Sequence, residues 1–192
     1  MPITKTDRAK QVFKVFPDPN PHHLRYPECF IGIDPGLKGG MAVIDACGVR
    51  TIRMPTTERD IWGWLRDLGR FQRGYALIER VQAMPGNGVS SMFKFGWGYG
   101  GLRMGLIAAE VTWEEVEPKT WQKEIGVSRR KGEKDAAWKN RLRAKAQQLF
   151  PKDGAEINLA TADALLIALV CRRRHGTSTW TDPRKTVEIP PG

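Results

Sequence analysis

CFIGIDPGLKGGMAVIDACGVRTIRM, residues 29–54, contains three short β-rich runs separated by two turns. The first is apolar from Cys29 and ends on Asp34, followed at once by Pro35 and Gly36. The second, GGMAVIDA, reaches Ala46, and a Cys47–Gly48 turn leads into VRTIRM. Runs of this length at hairpin spacing predict an antiparallel meander. Downstream, ERDIWGWLRDLGR places Ile61, Trp64, Leu65 and Leu68 on one helical face. YALIER reads as a fourth strand ending on Glu79, and VTWEEVEP as a fifth. Between them, a stretch opened by PGNGVSS and running to Glu110 reads as a long helix despite its glycines. DAAWKNRLRAKAQQLF carries Trp138, Leu142, Lys145 and Leu149 on one stripe, and ATADALLIALVCRRR is an apolar helix with a basic C-terminal end that suits the helix dipole. Three antiparallel strands, then helix, strand, helix, strand and terminal helices make an α/β fold with a five-stranded mixed sheet flanked by helices.

The flanks differ from this unit. Residues 1–28 are polar, basic and Pro-rich, without helical or strand period, and are expected to form an extended arm. From Gly176 to Gly192 the composition is similar and reads as a tail. The folded domain is thus expected over residues 29–175. A total of 192 residues suits one domain, and 41% hydrophobic residues suffice for a core. The N-terminus has no apolar core of a signal peptide, and no run approaches ~18 apolar residues, so no membrane partner is expected. Three cysteines (Cys29, Cys47, Cys171), far apart, fit neither a disulfide framework nor a zinc site and point to a reducing cytoplasm.

Charge points to the partner. The chain carries 31 Lys and Arg against 21 Asp and Glu, a net +10, which argues for a polyanion such as nucleic acid. Ten of the basic residues fall between Lys119 and Lys145, including Lys119, Lys123, Arg129, Arg130, Lys131 and Lys134, against only three acids. Such a run is often just a solvated face; beside a metal-carboxylate site it is better explained as a phosphate-backbone contact.

Three acids stand in unusual places. Asp34 and Glu79 end apolar strands, and Asp163 lies in the first turn of an apolar helix. Taken singly, Asp34 is also a turn former before Pro-Gly, Glu79 a salt-bridge partner for Arg80 or Arg103, and Asp163 a helix-start acid. Buried carboxylates need neutralising, and a divalent cation is the common neutraliser of several together. If the two strands are neighbours, Asp34 and Glu79 converge, and the last helix can bring Asp163 across them. Oxygen ligands without Cys or His favour Mg²⁺ or Mn²⁺ over zinc. SSMFKFGWGYGGLRMG adds Phe93, Phe95, Trp97 and Tyr99, which are either base-stacking platforms, core residues or a dimer seam.

In combination, IGIDPGLKGGMAVID (31–45), the stretch ALIER to GGLRMG (76–105), VEPKTWQKEIG (116–126), KDAAWKNRLRAKAQQLFP (134–151) and ATADALLIAL (160–169) resemble the phage-type RuvC-like Holliday junction resolvases. The resemblance runs from about Phe30 to Arg173. It implies a ribonuclease H-like fold, a homodimer, location in the cytoplasm of a host cell, and Mg²⁺-dependent hydrolysis of phosphodiesters in four-way DNA junctions. Asp34, Glu79 and Asp163 match the family's acidic catalytic and metal residues, and Lys123 and Lys134 its basic residues near the scissile phosphate, Lys134 being the catalytic one. The implied chemistry uses two ions ~4 Å apart, with Asp34 bridging. Two departures stand out. The bacterial pattern has an acid or His one helical turn before the last acid, where this chain has Ala160, with Glu156, Asn158 and Thr161 as the nearest polar residues. The aromatic three residues after the second acid is Gln82 here. Two alternatives remain open: a related nuclease cutting flaps or forks, or a catalytically idle DNA-binding relative. Actin-like and sugar-kinase ATPases also open with a strand, an Asp and a Gly turn, but need a second domain and a second phosphate loop. Two opposed nicks require two sites, hence a homodimer. The seam is expected on the Gly-rich helix, with Gly96, Gly98, Gly100, Gly101 and Gly105 allowing approach and Phe93, Trp97, Leu102 and Leu106 supplying apolar area.

Overall fold

The computed structural model describes residues 28–71, 73–81, 88–154 and 156–176. The expected arm up to residue 27, the tail from 177 and Gln82 lie outside the described residues. β1 (Glu28–Asp34), β2 (Gly40–Asp45) and β3 (Gly48–Arg53) form the expected meander. Helix α1 (Glu58–Phe71) returns the chain to β4 (Arg73–Glu79), which pairs in parallel with β1. Helix α2 (Val89–Ala108) leads to β5 (Thr112–Val116), parallel to β4. Then come α3 (Pro118–Glu124), α4 (Asp135–Leu149) and α5 (Ala162–His175). The sheet order is β3-β2-β1-β4-β5. The fold is therefore α/β with a five-stranded mixed sheet flanked by helices, as the pattern predicts. No helix among the described residues is long and apolar enough to cross a membrane.

Strand alternation sorts the side chains into two cores. Cys29, Ile31 and Ile33 of β1, with Ala76 and Ile78 of β4, face α1 and α2, where Leu65, Leu68, Leu102 and Leu106 complete one layer. Phe30 and Leu77 face the other way, into a layer built with α3, α4 and α5. Helix α5 is the centre of that layer, buried at every position from Ala162 to Cys171. Each fully buried Leu, Ile or Val contributes roughly 1.5–3 kcal/mol relative to exposure. Helix α1 begins at a side-chain cap: the Asp60 amide donates to Thr57 Oγ1 at 3.2 Å, and the Thr57 hydroxyl donates to Asp60 Oδ2 at 2.7 Å.

Close contact between α5 and β1 depends on Gly32. A Cβ there would stand 2.0 Å from the Ala164 carbonyl oxygen and 2.2 Å from the Ala168 amide nitrogen. Without one, the helix backbone lies directly on the strand, and its first turn comes over the carboxyl end of β1.

The structure corrects the expected seam. Leu102 and Leu106 are buried against α1 in their own chain. Gly105 faces Leu65, at 3.0 Å from where its Cβ would be, so it is an internal contact. The apolar residues that α2 leaves exposed are Val89, Phe93, Trp97, Met104 and Ile107. They lie three, four or seven apart, along one stripe. Gly96, Gly98 and Gly100 have open space around them. Lys145 also differs from its expected place, because Ala146 takes the buried position of the α4 stripe.

Candidate active site

The parallel register of β1 and β4 runs to Ile33 opposite Ile78. Asp34 and Glu79 are the next residues, side by side at the carboxyl ends of neighbouring strands. Alternation turns both toward the α5 face, since Ile33 and Ile78 belong to the opposite core. The turn after Asp34 folds tightly over it: a Cβ on Gly39 would stand 2.1 Å from the Asp34 carbonyl oxygen and 3.0 Å from its Cγ. Asp163, 4% exposed in the first turn of α5, comes over this end of the sheet. Its charge acts on both Asp34 and Glu79.

Position 160 lies at the same end. The Ala160 carbonyl oxygen is 2.7 Å from where a Cβ of Gly40 would be, and Gly40 is the register partner of Asp34. A carboxylate is missing there, and of the nearby polar groups Asn158 and Thr161 serve the turn into α5. Asn158 Oδ1 accepts from the Ala160 amide at 2.9 Å, and Thr161 Oγ1 accepts from the Asn158 amide at 3.2 Å.

Two side chains enter the cluster that the sequence reading did not assign to it. The fully buried Trp121 of α3 donates its indole N–H to Glu79 Oε2 at 2.7 Å. The Lys139 ammonium of α4 donates to Asp163 Oδ2. Glu79 therefore does not take the salt bridge left open for it, because Arg80 pairs with Glu115 and Glu117, and Arg103 with Glu115. Their positions in the helices account for both. Pro118 is a helix-start residue that sets the short α3. Lys139 precedes the buried Leu142 and Ala146 by three and seven positions, which puts it on the inward face of α4.

Burial, more than any neighbour, sets the electrostatics of the cluster. Burial, reinforced by Asp163 and Glu79 and only partly offset by Lys139, pushes Asp34 up to about 7. Burial also raises Glu79 against the effect of the Trp121 hydrogen bond, and Asp163 against that of Lys139. For Lys139 burial works against the charge, but Asp163, Asp34 and Glu79 outweigh it and raise its pKa. Clustered carboxylates shifted in this direction are those that gain most from a further cation.

The donor set fits a hard divalent cation in chemistry and charge. Asp163 Oδ1 is buried and has no hydrogen-bond partner, an oxygen that a cation would satisfy. In arrangement the site is not a finished cage, since among the described residues no three His, Cys, Asp or Glu side chains stand ready to hold a metal ion.

The basic residues lie on the adjoining elements. Lys119 and Lys123 are exposed on α3; Arg129, Arg130 and Lys131 are exposed on the loop to α4; and Lys134 is exposed at the N-cap of α4. They are not equivalent. The Arg129 guanidinium donates to the Glu133 carbonyl at 2.8 Å and pairs with Asp135, while Arg141 donates to the Ser128 carbonyl at 2.7 Å and pairs with Glu133. Arg129 thus shapes the loop that presents its neighbours. Of the aromatics, Tyr99 packs against the α1 core, the Phe95 ring lies beside the Gly36 turn, and Phe93 and Trp97 are exposed.

Known family profiles do not match this chain, and no curated protein matches it in sequence. Solved structures do share its fold. A Thermus thermophilus RuvC in complex with Holliday junction substrate is similar at a TM-score of 0.56 with 19% identity, over 78% of this chain and 97% of that one. A second Thermus thermophilus RuvC structure gives 0.53 and 19% over the same shares. The fold is thus the ribonuclease H-like fold of RuvC.

Proposed function

We propose that this chain is a metal-dependent endonuclease that resolves four-way DNA junctions. The observation that carries the reading is the placement of Asp34, Glu79 and Asp163. Two half-buried acids at parallel strand ends and one buried acid in a helix turn come to one end of the sheet, beside the elements that carry the basic run. The likeness to a RuvC fold solved with junction DNA favours a branched substrate. Mg²⁺, with Mn²⁺ as substitute and two ions as the expected number, would supply a water nucleophile and stabilise the leaving 3′ oxygen. Asp34, Glu79 and Asp163 would hold it, Trp121 fixing the Glu79 carboxylate in place. Lys119, Lys123, Arg130, Lys131 and Lys134 would hold the phosphate backbone, with Arg129 keeping the loop in shape. Lys134 is the residue proposed to meet negative charge developing on the phosphate.

The test compares a labelled four-way junction with linear duplex and a flap of matching sequence, each with Mg²⁺ and with EDTA. Junction cleavage that requires Mg²⁺ and exceeds that of the other two supports the reading. Preferred cutting of the flap assigns the alternative nuclease activity. Binding without cleavage assigns the idle relative.

DNA contact by the basic loop has its own signature. Replacing Arg130 and Lys131 with Ala should lower the slope of log K against log salt by about 2, because each phosphate contact contributes about 1. Anisotropy of a labelled junction from ~50 to ~200 mM salt measures it. Arg129 is spared in this variant because its loss would also loosen the loop. An unchanged slope would make the loop an ordinary solvated surface.

Paired nicks at a symmetric junction need two sites, and the described residues of one chain offer one such carboxylate cluster, so we propose a two-fold homodimer. The α2 stripe of Val89, Phe93, Trp97, Met104 and Ile107 is its seam, because five large apolar side chains exposed along one helix face are unusual on a free surface. Phe93 and Trp97 are already in contact, with ring centroids 6.1 Å apart. Phe93→Asp with Met104→Asp should convert a dimer to a monomer in light scattering without lowering Tm by more than a few degrees. A wild-type chain that scatters as a monomer at micromolar concentration would remove the seam.

A further inference from the structure

We propose that Lys139 is a tethered counter-ion that competes with the divalent cation for Asp163. The inference rests on the metal-site reading and adds to it a residue that must give way when metal binds. Its ammonium donates to Asp163 Oδ2 while the other oxygen of the same carboxylate, buried, has no hydrogen-bond partner. The lysine side chain is 44% exposed and the aspartate side chain 6%, so the ammonium reaches in from the rim and can withdraw. Lysine suits such a role, as its charge rides on a flexible four-carbon stem.

Two further observations explain why a resident cation belongs here. Desolvating three carboxylates at one end of a sheet is costly without positive charge. Lys139 cancels one of the three charges, and the missing acid at Ala160 means that no fourth must be cancelled. Yet the ammonium also occupies one of the two oxygens that Asp163 could offer a metal. The same contact that makes the metal-free fold tolerable therefore keeps one ligand occupied. Metal binding then has to displace the ammonium, which lowers the apparent affinity by the strength of the contact. The released ammonium stays tethered at the rim of the site, since its side chain is part exposed.

The test is Mn²⁺ uptake by the full-length chain, read as the loss of the free Mn²⁺ EPR signal. Wild type, Lys139→Met, Lys139→Gln and Lys139→Arg are compared, and Asp34→Asn defines uptake at this site. Both neutral variants should bind Mn²⁺ about tenfold more tightly than wild type, the factor corresponding to ~1.4 kcal/mol. Lys139→Arg, which keeps the charge, should stay close to wild type. Without metal the neutral variants should melt below wild type, and saturating Mn²⁺ should erase the difference. Equal or weaker Mn²⁺ binding by a folded neutral variant would overturn the role of Lys139 and leave the metal site standing. Uptake that Asp34→Asn does not reduce would overturn the metal site and this inference with it.

Discussion

Asp34→Asn should abolish junction cleavage, by about a thousandfold or more, while the chain still binds the junction. The substitution keeps volume and shape but removes a carboxylate that Asp163 and Glu79 both act on. Since Asp34 is strained by burial and by its acidic neighbours, neutralising it should not unfold the protein and should raise its melting temperature in EDTA. Loss of activity with a gain in metal-free stability is the mark of a site residue held against its own preference. Glu79→Gln and Asp163→Asn should also lose cleavage, though Asp163→Asn leaves Lys139 without its partner and should not share the stability gain. Turnover by gel and Tm by calorimetry separate these outcomes. Near-normal cleavage by any one of the three would remove that residue from the site.

Gly32→Ala should be strongly destabilising for a change of one methyl group. The added carbon would stand 2.0 Å from one α5 backbone atom and 2.2 Å from another, and no rotamer change can relieve a clash with backbone. Either β1 or α5 must move, and both are in the core. Overpacking in cores costs typically 1–3 kcal/mol, and a backbone clash at a central strand belongs at the upper end, about 3 kcal/mol. Because α5 carries Asp163 and β1 carries Asp34, the displacement should also reduce Mn²⁺ affinity in whatever fraction folds. Chemical denaturation supplies the stability and EPR the affinity. A folded Gly32→Ala variant of wild-type stability would show that α5 does not lie as closely on β1 as described.

Much of this architecture is legible from pattern. The meander follows from three short β-rich runs separated by turn residues, and the apolar α5 could only be central. Asp34 and Glu79 stand out because acids seldom end buried strands. The parts that escaped have physical reasons. Helix α3 spans only seven residues with one buried side chain, Trp121, too short for a period to register. Helix α2 is apolar on two faces, and nothing in its sequence tells which one meets α1. Only the structure assigns Leu102 and Leu106 inward and Phe93 and Met104 outward. Lys139 sits among ten basic residues where charge counting makes all of them alike. Its distinction is geometric, arising from the packing of α4 on α5.

The central claim, a carboxylate-based site that cuts junctions in pairs, is tested most directly on a supercoiled plasmid that extrudes a cruciform. A single nick relaxes the plasmid and lets the cruciform be reabsorbed, giving nicked circles. Two nicks within one encounter give linear product. With Mg²⁺ the wild-type chain should yield linear DNA cut at the cruciform base, the Phe93→Asp/Met104→Asp variant mainly nicked circles, and Asp34→Asn neither. Linear product absent from the wild-type reaction, or cutting spread evenly over plasmids lacking a cruciform, would contradict the account.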